Sequence, residues 1–397
     1  MLSRWYAWLL TGCLALNLPA AHAAASAPED LAVQIRFYPV RNLRVYEVDA
    51  RHGLSGALLQ NAAIVNQTDL PVTFERAEIE LISGGSVIQV HRLSQRDLDR
   101  GVQRGLMLQK AGLLEKFAFQ FRPDVLLGKE ITLADSLQVP PKAALLLGQR
   151  YFVFSGAAEQ LRMRAYGRRD GAPVQVEASL PILMKGSQVE YDFPLAGRWF
   201  VAVGQDLHNP HRWVVPEEFA FDLVKLGNNA STHQGNGAKR SDFYAYGETI
   251  LAAADGTVRA VLDSIPETDS NLQQPDESSK VYQTRVLAMQ DELLAKGALQ
   301  AAGNYIVLEH NAGEYSLYAH LMPGTLRVRP GEPVKRGQPI ARLGHSGNST
   351  EPHLHFHVID GPDPLLSAGI PIRFRNVTLP LSGEDRALHD GDVVDAH

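Results

Sequence analysis

The chain has 397 residues, of which 45% are hydrophobic and 21% charged, and its formal net charge at pH 7 is −6. This length and composition are typical of a globular protein with two or three domains. The negative charge argues against a nucleic-acid partner and against a basic membrane-surface patch, because both need clustered lysine and arginine.

Residues 1–23 have the pattern of a secretory signal peptide. Arg4 supplies the positive charge, an apolar run from Trp5 to Leu18 follows, and Ala21-His22-Ala23 gives a small-x-small cleavage pattern. The run is too short for a membrane-spanning helix, which takes ~20 residues, and we expect no span after cleavage. An uncleaved anchor and lipidation at Cys13 are the alternatives. Because Cys13 is the only cysteine, a cleaved chain could hold a metal only through His, Asp or Glu.

Residues 24–190 are predicted to form a β-rich accessory domain. Val72–Leu81 and Val174–Leu180 alternate apolar and polar side chains for much of their length, which is typical of strands with one buried face. Ser94 and Asp97 could cap a helix between these strands. Its apolar face would comprise Leu98, Val102 and Leu106. We predict a β-sandwich-like domain with one helical stretch.

Residues 191–381 are predicted to form a second, antiparallel β-sheet domain, because short strand-like segments alternate there with Gly-rich turns. An insertion at 266–300 interrupts the strands. Its first part is polar and loop-like, and Val281 to Gln300 is rich in helix-forming residues. The acidic segment 382–397 is predicted to be a flexible tail. The fold class is therefore mainly β.

Three histidines alternate in the segment Pro352-His-Leu-His-Phe-His-Val. On a strand, residues two apart share a face and lie ~6.6 Å from each other. His353, His355 and His357 would therefore project together, a surface suited to metal binding or proton transfer. The alternative is a solvent-exposed polar face of a half-buried strand.

Two further segments carry candidate site residues. His320 ends the strand-like segment Tyr315-Ser-Leu-Tyr-Ala-His, and a partly buried structural role is its alternative. His211 precedes Asp222, which lies among apolar residues, where a carboxylate is costly to bury unless it meets a cation. A turn or helix-cap role is the alternative for Asp222. Catalytic zinc typically takes three protein ligands and one water, and such segments could supply them. The zincin motif H-E-x-x-H is absent from the sequence.

The sequence resembles the lysostaphin/LytM family of zinc metallopeptidases over roughly residues 245–360. The segments that carry the resemblance are Gly303-Asn-Tyr-Ile-Val-Leu-Glu-His, Tyr315-Ser-Leu-Tyr-Ala-His-Leu, Val334-Lys-Arg-Gly-Gln-Pro-Ile-Ala-Arg-Leu-Gly and Gly347-Asn-Ser-Thr-Glu-Pro-His-Leu-His-Phe. The resemblance implies a Zn²⁺ cofactor in a groove across a small antiparallel sheet. It implies that Asp222 and His355 bind the metal and that His320 and His353 are catalytic.

The chain departs from the family pattern at three positions. The family's first His ligand stands four residues before its Asp, where this chain has Glu218. We assign that ligand to His211, with His208 as the substitute. Glu351 stands where many members have Gly, and His357 where many have Glu.

The resemblance implies a metalloendopeptidase that hydrolyses peptide bonds, with peptidoglycan cross-links as the expected substrate. The alternative is a non-catalytic LytM-like regulator or peptidoglycan-binding protein, and a regulatory protein partner stays open. A carrier-type hairpin around Lys335 would leave the histidine row unexplained. The negative charge and the lack of wall-anchoring repeats favour the periplasm over secretion.

Overall fold

A computed structural model describes residues 32–397. The expected signal peptide and Cys13 lie outside the described residues. The described chain divides into two compact units, residues 32–185 and 186–397. In the part of the chain that is described, no helix has both the length and the apolar character needed to cross a bilayer.

The first unit contains twelve strands and four helices. The strands are β1 (Val33–Tyr38), β2 (Leu43–Asp49), β3 (Leu54–Leu59), β4 (Asn61–Asn66), β5 (Val72–Ser83), β6 (Ser86–Leu93), β7 (Thr132–Leu133), β8 (Gln138–Val139), β9 (Ala143–Leu147), β10 (Arg150–Ser155), β11 (Gln160–Arg169) and β12 (Ala172–Leu183). The helices are α1 (Gln95–Lys110), α2 (Leu113–Lys116), α3 (Ala118–Phe121) and α4 (Pro123–Leu126).

These strands form two sheets that share one hydrophobic core. The smaller sheet has the order β1-β4-β9-β7, and the larger has the order β10-β3-β2-β12-β11-β5-β6, with β8 paired to β5. Ile64 of the first sheet, Leu161 of the second and Leu98 of α1 belong to one buried cluster. The predicted mainly β, two-layered class is confirmed, although β12–β2 and β7–β9 pair in parallel.

The helix predicted at Ser94 is present as α1. Ser94 and Asp97 form a reciprocal capping box, and Leu98 and Val102 are buried on the inner face. Sequence reasoning expected one helical stretch here, whereas α1 is followed by three single-turn helices up to Leu126.

The second unit contains eleven strands and one long helix. The strands are β13 (Gly197–Val203), β14 (Phe221–Val224), β15 (Thr249–Leu251), β16 (Gly256–Leu262), β17 (Asn304–Glu309), β18 (Tyr315–Leu321), β19 (Pro333–Val334), β20 (Pro339–Arg342), β21 (Leu354–Ile359), β22 (Val377–Thr378) and β23 (Val393–Ala396). The helix is α5 (Ser279–Lys296). Single 3-10 turns occur at Pro210–Trp213, Val215–Glu217, Arg240–Asp242, Asp269–Asn271, Ala298–Gln300 and Asn311–Gly313.

Nine of these strands form one sheet with the order β19-β16-β17-β18-β21-β14-β13-β23-β22, and β15 pairs with β20. Every strand pair in this sheet is antiparallel. Leu354, Phe356 and Val358 of β21 belong to the hydrophobic core cluster of this unit. Because side chains alternate along a strand, His355 and His357 project to the opposite face of the sheet.

The segment 382–397 differs from the flexible tail expected from its acidic composition. Val393–Ala396 form β23, which pairs with β13, and Val394 is fully buried in the core. Arginines neutralise part of the acidic charge, since Arg198 pairs with Asp395 and Arg386 pairs with Asp392.

Candidate metal centre

The centre forms where β18, β21 and β14 lie side by side. Asp222 of β14 is the register partner of His355 of β21, and His355 is also the partner of Ala319 in β18. Backbone pairing therefore brings together residues that are 133 positions apart, with Asp222 Oδ1 3.1 Å from His355 Nδ1. His320 follows Ala319 directly and reaches the same region.

A 3-10 turn places His211 against the same carboxylate. Asn209 begins the turn, and its side-chain oxygen accepts a hydrogen bond from the Arg212 backbone N–H at 2.8 Å. Pro210 occupies the first turn, where its fixed φ is favourable. His211 Nε2 then lies 3.0 Å from Asp222 Oδ2. His208, the substitute candidate, is exposed and lies outside this cluster.

His211, Asp222 and His355 each offer one ligand atom, and these atoms lie within 4.8 Å of one another. The side chains are only 5–6% exposed. Two imidazole nitrogens and one carboxylate match the ligand type and number of a catalytic zinc site, which keeps a fourth position for water. The nitrogens that face Asp222 are His211 Nε2 and His355 Nδ1. The residues present therefore fit a zinc ion.

The electrostatics of the cluster favour a cation. Burial alone would raise the pKa of Asp222, but His211 and His353 hold that pKa well below its usual range. Burial alone would lower the pKa of His211, but the adjacent Asp222 carboxylate outweighs it and raises that pKa to about 10. The buried carboxylate is thus ionised and attracts positive charge, which a metal ion would supply.

His320 and His353 flank the cluster in matching tautomers. His320 Nδ1 lies 2.9 Å from the Ser346 carbonyl oxygen, and His353 Nδ1 lies 2.7 Å from the Glu351 carbonyl oxygen. A carbonyl only accepts hydrogen bonds, so each Nδ1 carries a proton and each Nε2 is the nitrogen left for chemistry. The two rings lie 4.7 Å apart, and His353 Nε2 is 3.5 Å from Asp222 Oδ1.

The pKa values of His320 and His353 are shifted in opposite directions. Burial and the neighbouring His353 and His355 lower the pKa of His320 well below its usual value. Burial also disfavours charge on His353, but Asp222 outweighs it and raises the pKa of His353. A neutral imidazole and a more basic one therefore face the same space, a pairing suited to proton transfer.

His320 also has an unusual backbone. Its φ is +59°, in the left-handed region that favours glycine. The backbone is held by two hydrogen bonds, from His320 N–H to the Ala302 carbonyl (2.9 Å) and from Gly344 N–H to the His320 carbonyl (3.0 Å).

Two residues to which the sequence analysis assigned no role contact the candidate ligands His355 and His211. His357 Nδ1 lies 2.9 Å from His355 Nε2, and its own Nε2 is buried without a hydrogen-bond partner. Burial and the neighbouring His355 lower the pKa of His357 to about 3, so its ring is neutral. Glu217 Oε2 lies 3.6 Å from His211 Nδ1. Such outer contacts orient metal-binding imidazoles. The alternating histidine pattern had placed His357 on the shared face without a role, and no sequence signal marks Glu217.

A groove runs past the cluster, and small or apolar side chains form much of its wall. Those from the insertion, the turn after it and strand β18 are Leu299, Ala301, Ala302, Leu317 and Ala319, and those from other loops are Pro210, Val214, Pro364 and Leu365. All five predicted site residues line the groove. Their burial excludes the solvent-exposed alternative for the histidine row.

Fold and centre together define a mainly β protein with a buried His/Asp/His cluster fit for a metal. Residues 277–365 match the model of Peptidase family M23. The resemblance of this region to lysostaphin/LytM peptidases is therefore confirmed. The matched residues include His320, His353 and His355, whereas His211 and Asp222 precede them.

Among curated relatives, the peptidoglycan DD-endopeptidase ShyB of Vibrio cholerae is 45% identical over 73 residues, covering 18% of this chain and 17% of that protein. The murein hydrolase activator NlpD of Escherichia coli is 42% identical over 64 residues, covering 16% of each. The matches thus span about a sixth of these relatives' length. The catalytic domain of lysostaphin from Staphylococcus simulans aligns at 17% identity over 44% of this chain and 88% of that one, with a TM-score of 0.23.

Proposed function

We propose that this protein is an exported zinc metalloendopeptidase that hydrolyses peptide bonds, with peptidoglycan cross-links as its substrate. The observation that carries the proposal is the buried cluster of His211, Asp222 and His355, with His320 and His353 beside it. These are the residue types that metal-assisted amide hydrolysis requires.

In this proposal His211 Nε2, Asp222 and His355 Nδ1 hold the ion. When bound, zinc polarises the scissile carbonyl and lowers the pKa of a bound water to ~7. Holding the ion through Nδ1 requires the proton of His355 to reside on Nε2, where the neutral His357 ring accepts it as a hydrogen bond at 2.9 Å. Glu217 orients His211 in the same way.

His320 and His353 act on the attacking water through Nε2. The carbonyl oxygens of Ser346 and Glu351 accept hydrogen bonds from their Nδ1 protons. These hydrogen bonds fix the orientation of both rings. The more basic His353 accepts a proton from the attacking water and passes it to the leaving amine. The neutral His320, whose proton is on Nδ1, accepts a hydrogen bond from the same water at Nε2 and so orients it for attack.

The substrate assignment rests on the relatives and on the groove. The relative ShyB is named a peptidoglycan DD-endopeptidase. Ala301, Ala302 and Ala319 give part of the groove a wall of small side chains, along which a peptide backbone could lie close to the metal cluster. We propose that export delivers the protein to the periplasm, where such peptides occur, and that residues 24–190 form an accessory domain.

The second candidate is a non-catalytic regulator, because NlpD is named a murein hydrolase activator. The complete set of donors within 4.8 Å favours the enzyme, since a regulator has no need of a buried, charged metal cluster.

The test is digestion of purified peptidoglycan sacculi, with released fragments identified by mass spectrometry. We expect peptide-cleaved fragments with zinc, none with chelator, and none from His355→Ala. A zinc-loaded, folded protein that releases no fragments but stimulates a separate wall hydrolase would support the regulator instead.

A further inference from the structure

A second cavity, of about 450 Å³, lies next to the catalytic centre in the same unit. The loop that precedes β21 lines both sites. Asn348 and His353 face the groove of the metal cluster, whereas Thr350 and Glu351 face the second cavity. The insertion forms another wall of this cavity through Gln274 and Tyr282.

Glu351 gives this cavity its charge. No lysine, arginine or other carboxylate is among its lining residues, and the remaining polar side chains are mostly amides and hydroxyls. The carboxylate accepts one hydrogen bond, from Thr232 Oγ1 to Oε2 at 2.7 Å. Within residues 32–397, Glu351 forms no ion pair with a lysine or arginine.

A sheltered carboxylate with one hydroxyl donor, and with only the imidazoles of His233 and His353 as nearby bases, has no permanent positive charge to compensate it. Burial raises the pKa of Glu351, opposed by the Thr232 hydroxyl, His353 and His233. Removing charge from water is costly unless an opposite charge meets it. A cation that entered the cavity would supply that charge, and the rings of Phe243 and Tyr282 would pack against its hydrocarbon stem.

The position of Glu351 in the sequence limits the distance between a cation bound there and the catalytic residue His353. Glu351 is two residues before His353, and two extended residues span at most ~7 Å. A substrate group in the cavity would therefore belong to a residue one or two positions from the scissile bond.

We propose that this cavity is a specificity subsite for an aliphatic ammonium group, carried by a diamino-acid residue of the peptide substrate, with Glu351 as its counter-ion. The proposal rests on the peptidase function proposed above and adds the part of the substrate that the enzyme selects. The Glu351 side chain touches the substrate side chain in this scheme and takes no part in bond cleavage. Its backbone carbonyl, which accepts the His353 Nδ1 proton, is retained in a side-chain variant.

The test compares two substrates and three proteins. The substrates are a peptide-cross-linked muropeptide dimer with a free side-chain amine next to the cross-link, and the same dimer with that amine acetylated. The proteins are the zinc-loaded wild type, Glu351→Gln, and Asp276→Asn.

The Gln side chain keeps the shape of Glu351 and its contact with Thr232. Asp276 is an exposed carboxylate close in sequence to Gln274 that does not line the cavity, so its variant controls for a general loss of negative charge.

We expect Glu351→Gln to lower kcat/KM for the free-amine dimer roughly tenfold or more, since hydrogen bonds to charged groups contribute that much. The acetylated dimer should be cleaved equally by the wild type and Glu351→Gln, and Asp276→Asn should match the wild type on both. Equal losses on both dimers in Glu351→Gln would overturn the proposal, because they would mean that Glu351 acts through the position of His353.

Calorimetric titration separates this proposal from the peptidase function. If the wild type cleaves neither dimer, the peptidase function fails, but its binding can still be measured. Tighter binding of the free-amine dimer, lost in Glu351→Gln, would then support the ammonium subsite. Equal binding of both dimers by the wild type would overturn it.

Discussion

Asp222 and His355 are direct partners across two antiparallel strands, with Oδ1 and Nδ1 3.1 Å apart. Two of the three candidate ligands are thus placed by backbone hydrogen bonding in the sheet rather than by flexible loops. The third, His211, comes from a separate turn.

This arrangement predicts a division between metal binding and chemistry. His355→Ala should lose its zinc, because it removes a ligand nitrogen. His320→Ala and His353→Ala should keep zinc and lose activity by about 10²–10⁴-fold, the usual contribution of a positioned proton-transfer group. Zinc content by elemental analysis, measured beside turnover, checks this. Equal zinc loss in all three variants would contradict the proposed roles.

The contact between His355 and His357 predicts a weaker effect on affinity. His357→Leu removes the acceptor for the His355 Nε2 proton and should weaken zinc binding about 10–100-fold. His357→Gln is the matched control, since its amide oxygen can accept the same hydrogen bond. Competition against a fluorescent chelator measures both, and activity of the Leu variant should return at high zinc. Identical affinities for the two variants would rule out this orienting role.

The positive φ of His320 predicts an effect on stability. A non-glycine residue in this conformation destabilises the folded state by roughly 1–2 kcal/mol. Glycine avoids this strain, but it loses more backbone entropy on folding, which offsets part of the gain. His320→Gly should therefore unfold with a free energy about 1 kcal/mol higher than His320→Ala. Urea denaturation of both variants in chelator makes the comparison, because neither has the imidazole. A more stable Ala variant would show that the backbone relaxes without cost.

The capping box of α1 predicts a pH dependence. Hydrogen bonds from the Ser94 hydroxyl and N–H lower the pKa of Asp97 from 3.8 to about 2. A carboxylate with a depressed folded-state pKa stabilises the fold above its unfolded pKa and loses that contribution as pH falls. Asp97→Asn should thus be less stable than the wild type at neutral pH. The difference should shrink between about pH 4 and pH 2, as followed by thermal unfolding. A difference independent of pH would exclude this linkage.

The site could be predicted from the sequence where local rules apply. Alternation along the segment 353–358 placed His353, His355 and His357 on one face, because the side-chain period of a strand is two. The pairing of Asp222 with His355 depends on sheet register over a long separation, which no local pattern encodes. Glu217 was missed for the same reason.

The fold shows the same limit. The capping residues identified the start of α1, and composition identified helix α5 within the insertion, although its helix ends at Lys296 before Gly297. The acidic composition of 382–397 gave the wrong result, because it ignores the arginines that neutralise the segment and the strand β13 that pairs with it.

The backbone conformation and the proposed role of His320 favour different residue types at this position. The backbone there is best served by glycine or asparagine, whereas orienting the attacking water needs an imidazole. Only selection for activity would keep histidine at a position where it weakens the fold. In a lineage that had given up catalysis, position 320 should drift to glycine or asparagine early, before the ligands that bind the ion. The identity of this one residue among descendants of the gene would therefore record whether the proposed catalytic role is retained.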